Sequence, residues 1–303
     1  MTSTTRKIDW LVWLVMAALV VAWGSAFAGL KIAVELIHPV WTSVMRLWVA
    51  ALVLWLISAA RGEPLPKVTV GRDSPWGWYT LLGLVGLAAP FMLFATAAAS
   101  LPSAVNAICN GASPVFTVAL AHLFLADEKL SLRRALGVLL GFAGLVVLVG
   151  PRLIGGGALG AGALGLAISA AILYAASNVI TRKAPQVGAL AGALMMCLTG
   201  AILATIAALV LDGPPAIPPL KGFAVVAALG VFSTGLGTVG YVWLIQRRGP
   251  VFTSMAIYLV PLWATALGVG LMGERPGWSA FAALGLILAG VGLTTARTRA
   301  TAA

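Results

Sequence analysis

Polar side chains able to recognise a solute recur at helical steps inside apolar surroundings. Ser103, Asn106, Asn110, Ser113 and Thr117 follow one another at steps of three and four, which puts them on one stripe of a helix. Tyr174, Ser177, Asn178 and Thr181 repeat the device, as do Thr234, Thr238 and Tyr241. Their chemistry is recognition, because hydroxyls and amides donate and accept hydrogen bonds without carrying charge. Asn106, Asn110 and Asn178 cost more to bury than hydroxyls and point to substrate contact; Ser and Thr serve interhelical hydrogen bonds equally well. Trp23, Phe27, Phe94, Tyr174, Tyr241 and Tyr258 add flat apolar walls with occasional polar handles, suited to a planar solute. Arg46 is a possible charge partner for a substrate carboxylate, although pairing with helix carbonyls or snorkelling is the commoner role for such a cation.

Such stripes need helices in an apolar medium. Of 303 residues, 61% are hydrophobic and 9% charged, against about 25% charged in soluble domains. Apolar runs of about 20 residues, enough to cross a hydrocarbon core about 30 Å thick, recur along the whole length. They predict ten spans at about 10–30, 39–60, 76–98, 102–125, 131–150, 158–180, 188–211, 221–245, 250–272 and 277–295. The expected fold class is an all-α membrane protein, since a backbone in lipid must satisfy its own hydrogen bonds and these runs are too long for barrel strands. Arg6 and Lys7 before an apolar stretch, with Ala26-Phe27-Ala28 after it, resemble a cleavable signal peptide, but the stretch Trp10 to Leu30 is long enough to span and is read as retained.

The cations orient the spans. Fourteen Lys and Arg, from Arg6 and Lys7 through Arg61, Lys129, Arg182 and Arg247 to Arg299, fall on one side; Lys31, Arg152, Lys221 and Arg275 fall on the other. The positive-inside rule then puts both termini in the cytoplasm of a bacterial inner-membrane, multi-pass protein. The net charge of +11 is scattered singly and in pairs, which speaks against nucleic acid as a partner.

The chain is also doubled. Trp23-Gly24-Ser25 with Lys31 lies over Tyr174-Ala175-Ala176 with Arg182 at an offset of 151. Gly83, Phe94 and Pro114 lie over Gly230, Tyr241 and Pro261 at 147; Glu128 and Gly144 lie over Glu274 and Gly290 at 146. This gives a first repeat over 10–150, a Gly-rich linker at 151–160 and a second repeat over 158–295. Five spans per repeat is an odd number, so the second copy enters from the opposite face, the inverted-repeat plan of secondary transporters.

Trp23-Gly24-Ser25-Ala26-Phe27 followed by Lys31, the lone Arg46, and the Pro114 to Glu128 and Pro261 to Glu274 segments resemble the EamA family of the drug/metabolite transporter superfamily. The resemblance implies two inverted five-helix repeats, with helices 1, 3, 4, 6, 8 and 9 around a central cavity and helices 5 and 10 peripheral. Within the family the chain is most similar to the YddG-type exporters of aromatic amino acids. The implied function is export of small organic metabolites, aromatic or other amino acids first, by alternating access. Aromatic cations and nucleotide-linked metabolites are the alternative substrates; phosphates would favour several cavity cations, and this core offers one.

Pro90, Pro114 and Pro261 interrupt spans three, four and nine and are read as hinges. Gly137, Gly141 and Gly144 form a small-residue seam for close helix contact. Trp10, Trp13, Trp41, Trp76, Trp78 and Trp278 fall near span ends and are assigned to interfacial belts. No Asp or Glu lies mid-span, so a facilitative carrier is expected, or coupling through edge groups such as Glu35, His38 or His122. An enzyme is not expected: Ser113 and His122 are nine residues apart on one helix and project to opposite faces. No cofactor or metal is expected either, and Cys109 and Cys197 read as small core residues. The partners are a small-molecule substrate and the lipid bilayer; a monomer is compatible with the sequence, which sets no oligomeric state.

Overall fold

Proline and glycine punctuate the helices where the apolar runs stop. The computed structural model describes residues 10–68, 74–124, 132–154 and 158–295, with backbone alone at 134, 149–154, 158–159, 242, 245–246, 248–255, 257–258, 291 and 294–295. Glu128 and the Gly155–Gly157 joint lie outside the described residues, as does the side chain of Tyr258. The chain is all-helical: α1 (Trp10–Leu36), α2 (Pro39–Arg61), α3 (Pro75–Gly83), a π-helical turn (Leu84–Ala88), α4 (Ala89–Ser100), α5 (Ser103–Gly111), α6 (Ser113–Phe124), α7 (Leu132–Ile154), α8 (Ala158–Lys183), α9 (Ala189–Asp212), α10 (Leu220–Ala228), a π-helical segment (Leu229–Leu236), α11 (Gly237–Gly270) and α12 (Gly277–Thr295). Pro39 and Pro75 open α2 and α3, where a missing N–H costs nothing. Gly62 closes α2 in the left-handed region at φ 64°.

Among the described residues seven helical stretches are long and apolar enough to cross a membrane, and Ala135–Leu148, Leu259–Gly270 and Gly277–Gly290 are shorter apolar helices. Large side chains such as Leu139, Val146, Ile206, Val210 and Phe281 face outward, the reverse of a water-soluble surface. Trp10, Trp13 and Trp278 are exposed at helix ends, but Trp41 is 6% exposed and packs among Val44, Leu47 and the α9 side chains. Trp41 therefore does not belong to an interfacial belt: proximity to a helix end is a poor guide where the neighbouring helix covers that end.

Two elements depart from the expected spans. The fourth is split, because Ala112 interrupts the helical run just before Pro114, whose ring nitrogen cannot donate to the Asn110 carbonyl. The eighth and ninth are joined without a loop, since the backbone is helical throughout α11. That helix nevertheless reverses. Trp23 packs on Gly237 while the adjacent Gly24 packs on Trp263, and in a straight helix those two positions would lie about 39 Å apart. Leu244 and Ala256 likewise join Val12, Met16 and Leu19 in one small core. Both pairs centre on Pro250, so α11 doubles back there and its two arms flank α1.

Equivalent positions in the two halves make equivalent contacts. A Cβ on Gly83 would meet Thr199, Gly200 and the Met196 carbonyl of α9; one on Gly230 would meet Val49 and the Arg46 carbonyl of α2. At the offset of 147, Met196 is the counterpart of Val49. Gly144 abuts Ile287 and the Ala283 carbonyl of α12, and Gly290 abuts Gly141 and the Gly137 carbonyl of α7. At the offset of 146 these contacts map onto one another. The Gly137–Gly144 seam thus packs α7 against α12 backbone to backbone. Both π-helical stretches also fall at matching places, since Leu84–Ala88 maps onto 231–235.

Candidate functional site

The Trp23-Gly24-Ser25 motif docks α1 between the arms of α11. Trp23 Nε1 donates to the Ser233 carbonyl at 3.0 Å, an acceptor in the π-helical segment. Gly24 lacks the Cβ that would strike the Trp263 ring at 2.6 Å, and Trp263 Nε1 donates to Ser25 Oγ at 3.0 Å. Trp263 was not singled out from sequence; at the offset of 147 its counterpart is Phe116, an aromatic at the matching place.

From this junction an arc of rings runs through the bundle. Trp23 meets Tyr241 at a centroid distance of 5.5 Å. One turn along α1, Phe27 meets Phe94 edge-on at 5.9 Å, and Phe94 meets Tyr174 at 5.7 Å. Such spacings are those of favourable aromatic pairs. The pairs Trp23–Tyr241 and Tyr174–Phe94 are counterparts, each formed by a first-helix aromatic of one half and a third-helix aromatic of the other. Phe94 is buried, whereas Trp23, Phe27, Tyr174 and Tyr241 keep part of their surface open.

The asparagines separate into two environments. Asn106 is fully buried, with Nδ2 donating to the Phe94 carbonyl at 3.0 Å and Oδ1 sealed without a partner. It ties α5 to α4 behind the Phe94 ring. Asn178 is exposed, one turn beyond Tyr174 on α8, and donates to Thr117 Oγ1 at 3.2 Å. Asn110 is half-buried next to the break before Pro114. Thr117 and Thr181 hydroxyls bond the carbonyls of Ser113 and Ser177 one turn back, so those positions of the stripes serve helix geometry. Ser177 itself fills the space left by Gly86 in the π-helical turn.

Arg46 neither snorkels nor binds helix carbonyls. It is 9% exposed; Nε donates to Thr234 Oγ1 at 2.6 Å and Nη2 to Ser233 Oγ at 2.9 Å. Its guanidinium carbon sits 4.2 Å from the Phe91 ring centroid, one turn from Phe94. Ser233 and Phe91 were invisible to sequence reasoning because a hydroxyl and a phenyl in an apolar run carry no signal of their own.

Pro90 follows the π-helical turn at the start of α4, and the buried ring of Pro261 fits against Gly111, next to the α5–α6 break. At one end of the bundle the α4–α5 turn is held by two charges. Lys31 Nζ donates to the Ala98 and Ala99 carbonyls at 3.0 and 3.4 Å, at the negative end of α4. Glu274 accepts from the Ser103 and Ala104 N–H groups at 2.7 and 3.1 Å, at the positive end of α5. Gly273, at φ 65°, makes the turn that brings this carboxylate back, and Gly268 leaves it room. His38 Nδ1, just before α2, and Asp212 Oδ2, at the end of α9, form a further contact of 2.8 Å. Among the described residues no group of His, Cys, Asp and Glu could hold a metal ion.

The model of the EamA-like transporter family matches residues 10–150 and again residues 161–296. The uncharacterized inner membrane transporter YedA of Escherichia coli is 29% identical over 92% of this chain and 88% of its own length. A probable terminal-alkyne amino-acid exporter of Streptantibioticus cattleyicolor is 25% identical over 96% of this chain and 95% of its own. A solved crystal structure with 21% identity superposes at a TM-score of 0.66, covering 95% of this chain and 98% of that one, and shares its fold.

Proposed function

The chain belongs to the EamA-like transporter family, and from that premise we propose that it exports aromatic or other amino acids by alternating access around the aromatic arc. It is a multi-pass membrane transporter of small molecules; the amino-acid substrate, the direction and the mechanism are the proposal. The observation that carries it is the mirrored ring pair, Trp23 on Tyr241 and Tyr174 on Phe94, where the two halves meet. Inverted-repeat carriers bind substrate at that interface. The terminal-alkyne amino-acid exporter among the relatives supports the substrate class, and the rings support an aromatic side chain, as in YddG-type exporters.

In this reading there are ten spans in two inverted copies. Seven long and three shorter apolar helices support the count, as does the reversal within α11. The paired glycine contacts support the pseudo-two-fold relation. Both termini are cytoplasmic on the cation count, so Lys31 and Glu274 close the outer end. With no carboxylate mid-span, transport is facilitative.

The test is uptake into proteoliposomes of a panel of aromatic amino acids, branched amino acids and aromatic cations, with Asn178→Leu and Tyr241→Ala in parallel. Saturable uptake of the aromatic amino acids, weakened by both variants, is expected. Equal, variant-insensitive leakage of every compound would refute the proposal.

A further inference from the structure

Arg46 carries an unusual charge balance. A buried guanidinium is normally matched by a carboxylate, because a full charge away from water is costly unless it is paired. Here its protein partners are two hydroxyls and a phenyl ring, and neither ion pair found among the described residues involves it. The geometry of what remains is specific. Thr234 and Ser233 occupy Nε and Nη2, the side-on edge of the guanidinium fork. The end-on edge, Nη1 with the second N–H of Nη2, has no protein acceptor among the described residues. Nη1 is not sealed either, unlike Trp41 Nε1, Asn106 Oδ1 and Thr265 Oγ1. A planar pair of donors that is neither paired nor fully sealed matches a bidentate carboxylate. The position fits as well, since Phe91 beneath the guanidinium is one turn from Phe94, the ring that meets Tyr174 at the end of the arc.

We propose that Arg46 is the carboxylate anchor of the transport site: its free edge takes the carboxylate of the solute while the arc from Phe94 to Tyr174 takes the side chain. The inference rests on the transport reading above and narrows its substrates to organic anions and zwitterions. Ser233 and Thr234 act as positioning residues that fix the plane of the fork.

Three probes that share one ring system test it in proteoliposomes of the full chain: L-tryptophan, indole-3-propionate, which has the carboxylate without the amine, and tryptamine, which has the amine without the carboxylate. Wild-type protein is expected to carry both carboxylates saturably. Arg46→Gln is expected to raise their KM about ten- to hundredfold, the range for losing a charged hydrogen-bonded partner, without raising the KM for tryptamine. Arg46→Lys, which keeps the charge but loses the planar fork, should fall between. Thr234→Val retains the charge and loosens the fork, so it covers the case in which Arg46→Gln does not fold, and it should raise the KM of the carboxylates alone. A wild type that carries tryptamine but neither carboxylate overturns the anchor, and with it the aromatic amino-acid substrate class, while transport itself stands. Equal effects of the variants on all three probes overturn the anchor alone. A wild type with no saturable flux of any probe overturns the transport reading for indole solutes and the anchor with it.

Discussion

The two bonds from Glu274 to the start of α5 span the two halves of the sequence, so breaking them should loosen that end of the bundle, the outer end in the proposed orientation. The carboxylate satisfies two backbone N–H groups that Pro102, without a capping side chain, leaves unpaired. Replacing a helix N-terminal cap costs about 0.5–2 kcal/mol, and a charge at the positive end of a helix adds up to about 2 kcal/mol in partly buried geometry. Water recovers part of both once the end opens, which leaves a net difference of about 2 kcal/mol, or about thirtyfold in the ratio of open to closed molecules. Leu101, in the clamped turn, is fully buried, and both native cysteines are buried too. A Leu101→Cys reporter therefore measures opening by its rate of modification with a membrane-impermeant maleimide added outside. Adding Glu274→Ala should speed that reaction about thirtyfold, and Glu274→Gln, which keeps one acceptor, by less. An unchanged or slower rate would refute the idea that this carboxylate holds the end closed.

The mirrored glycines should respond alike. Gly83→Ala and Gly230→Ala place a methyl against backbone at 2.8–2.9 Å, so each should lower thermal stability in detergent by about 1–3 kcal/mol, whereas Gly77→Ala, with nothing near it, should not; matched stability of all three would count against the paired seams. Because no carboxylate lies mid-span, uptake into vesicles should run down a substrate gradient and be insensitive to a protonophore. A sharp loss of accumulation on adding the protonophore would show coupling through groups such as Glu35, His38 or His122.

Much of the helical plan was legible because lipid imposes length and apolarity on each span. Registers were legible where the sequence offset pairs positions: Trp23 with Tyr174, Phe94 with Tyr241, and Gly83 with Gly230 each occupy matched contacts. What a side chain touches across the bundle was not. Arg46 meets Ser233 and Thr234 nearly 190 residues away, and no local spacing announces that pairing. Glu274 finds backbone N–H groups, which every residue but proline carries, so the clamp has no sequence signature. Asn106 and Asn178 look alike as members of polar stripes, yet one is sealed behind Phe94 and the other is open. The reversal between the eighth and ninth spans was legible in Arg247-Arg248-Gly249-Pro250, but its backbone was not: the segment reads as a loop, and the chain turns there while staying helical.

If transport runs by alternating access, the aromatic arc lines a path open in turn to each face of the membrane. Single cysteines at Phe27 and Tyr174, one on each half, can be probed with a hydrophilic maleimide supplied from the outside and, in inside-out vesicles, from the cytoplasmic side. Both positions should react from both faces, and more slowly when an aromatic amino acid is present. Reaction from neither face, or reaction only with a lipid-soluble reagent and no protection by any solute, would contradict it.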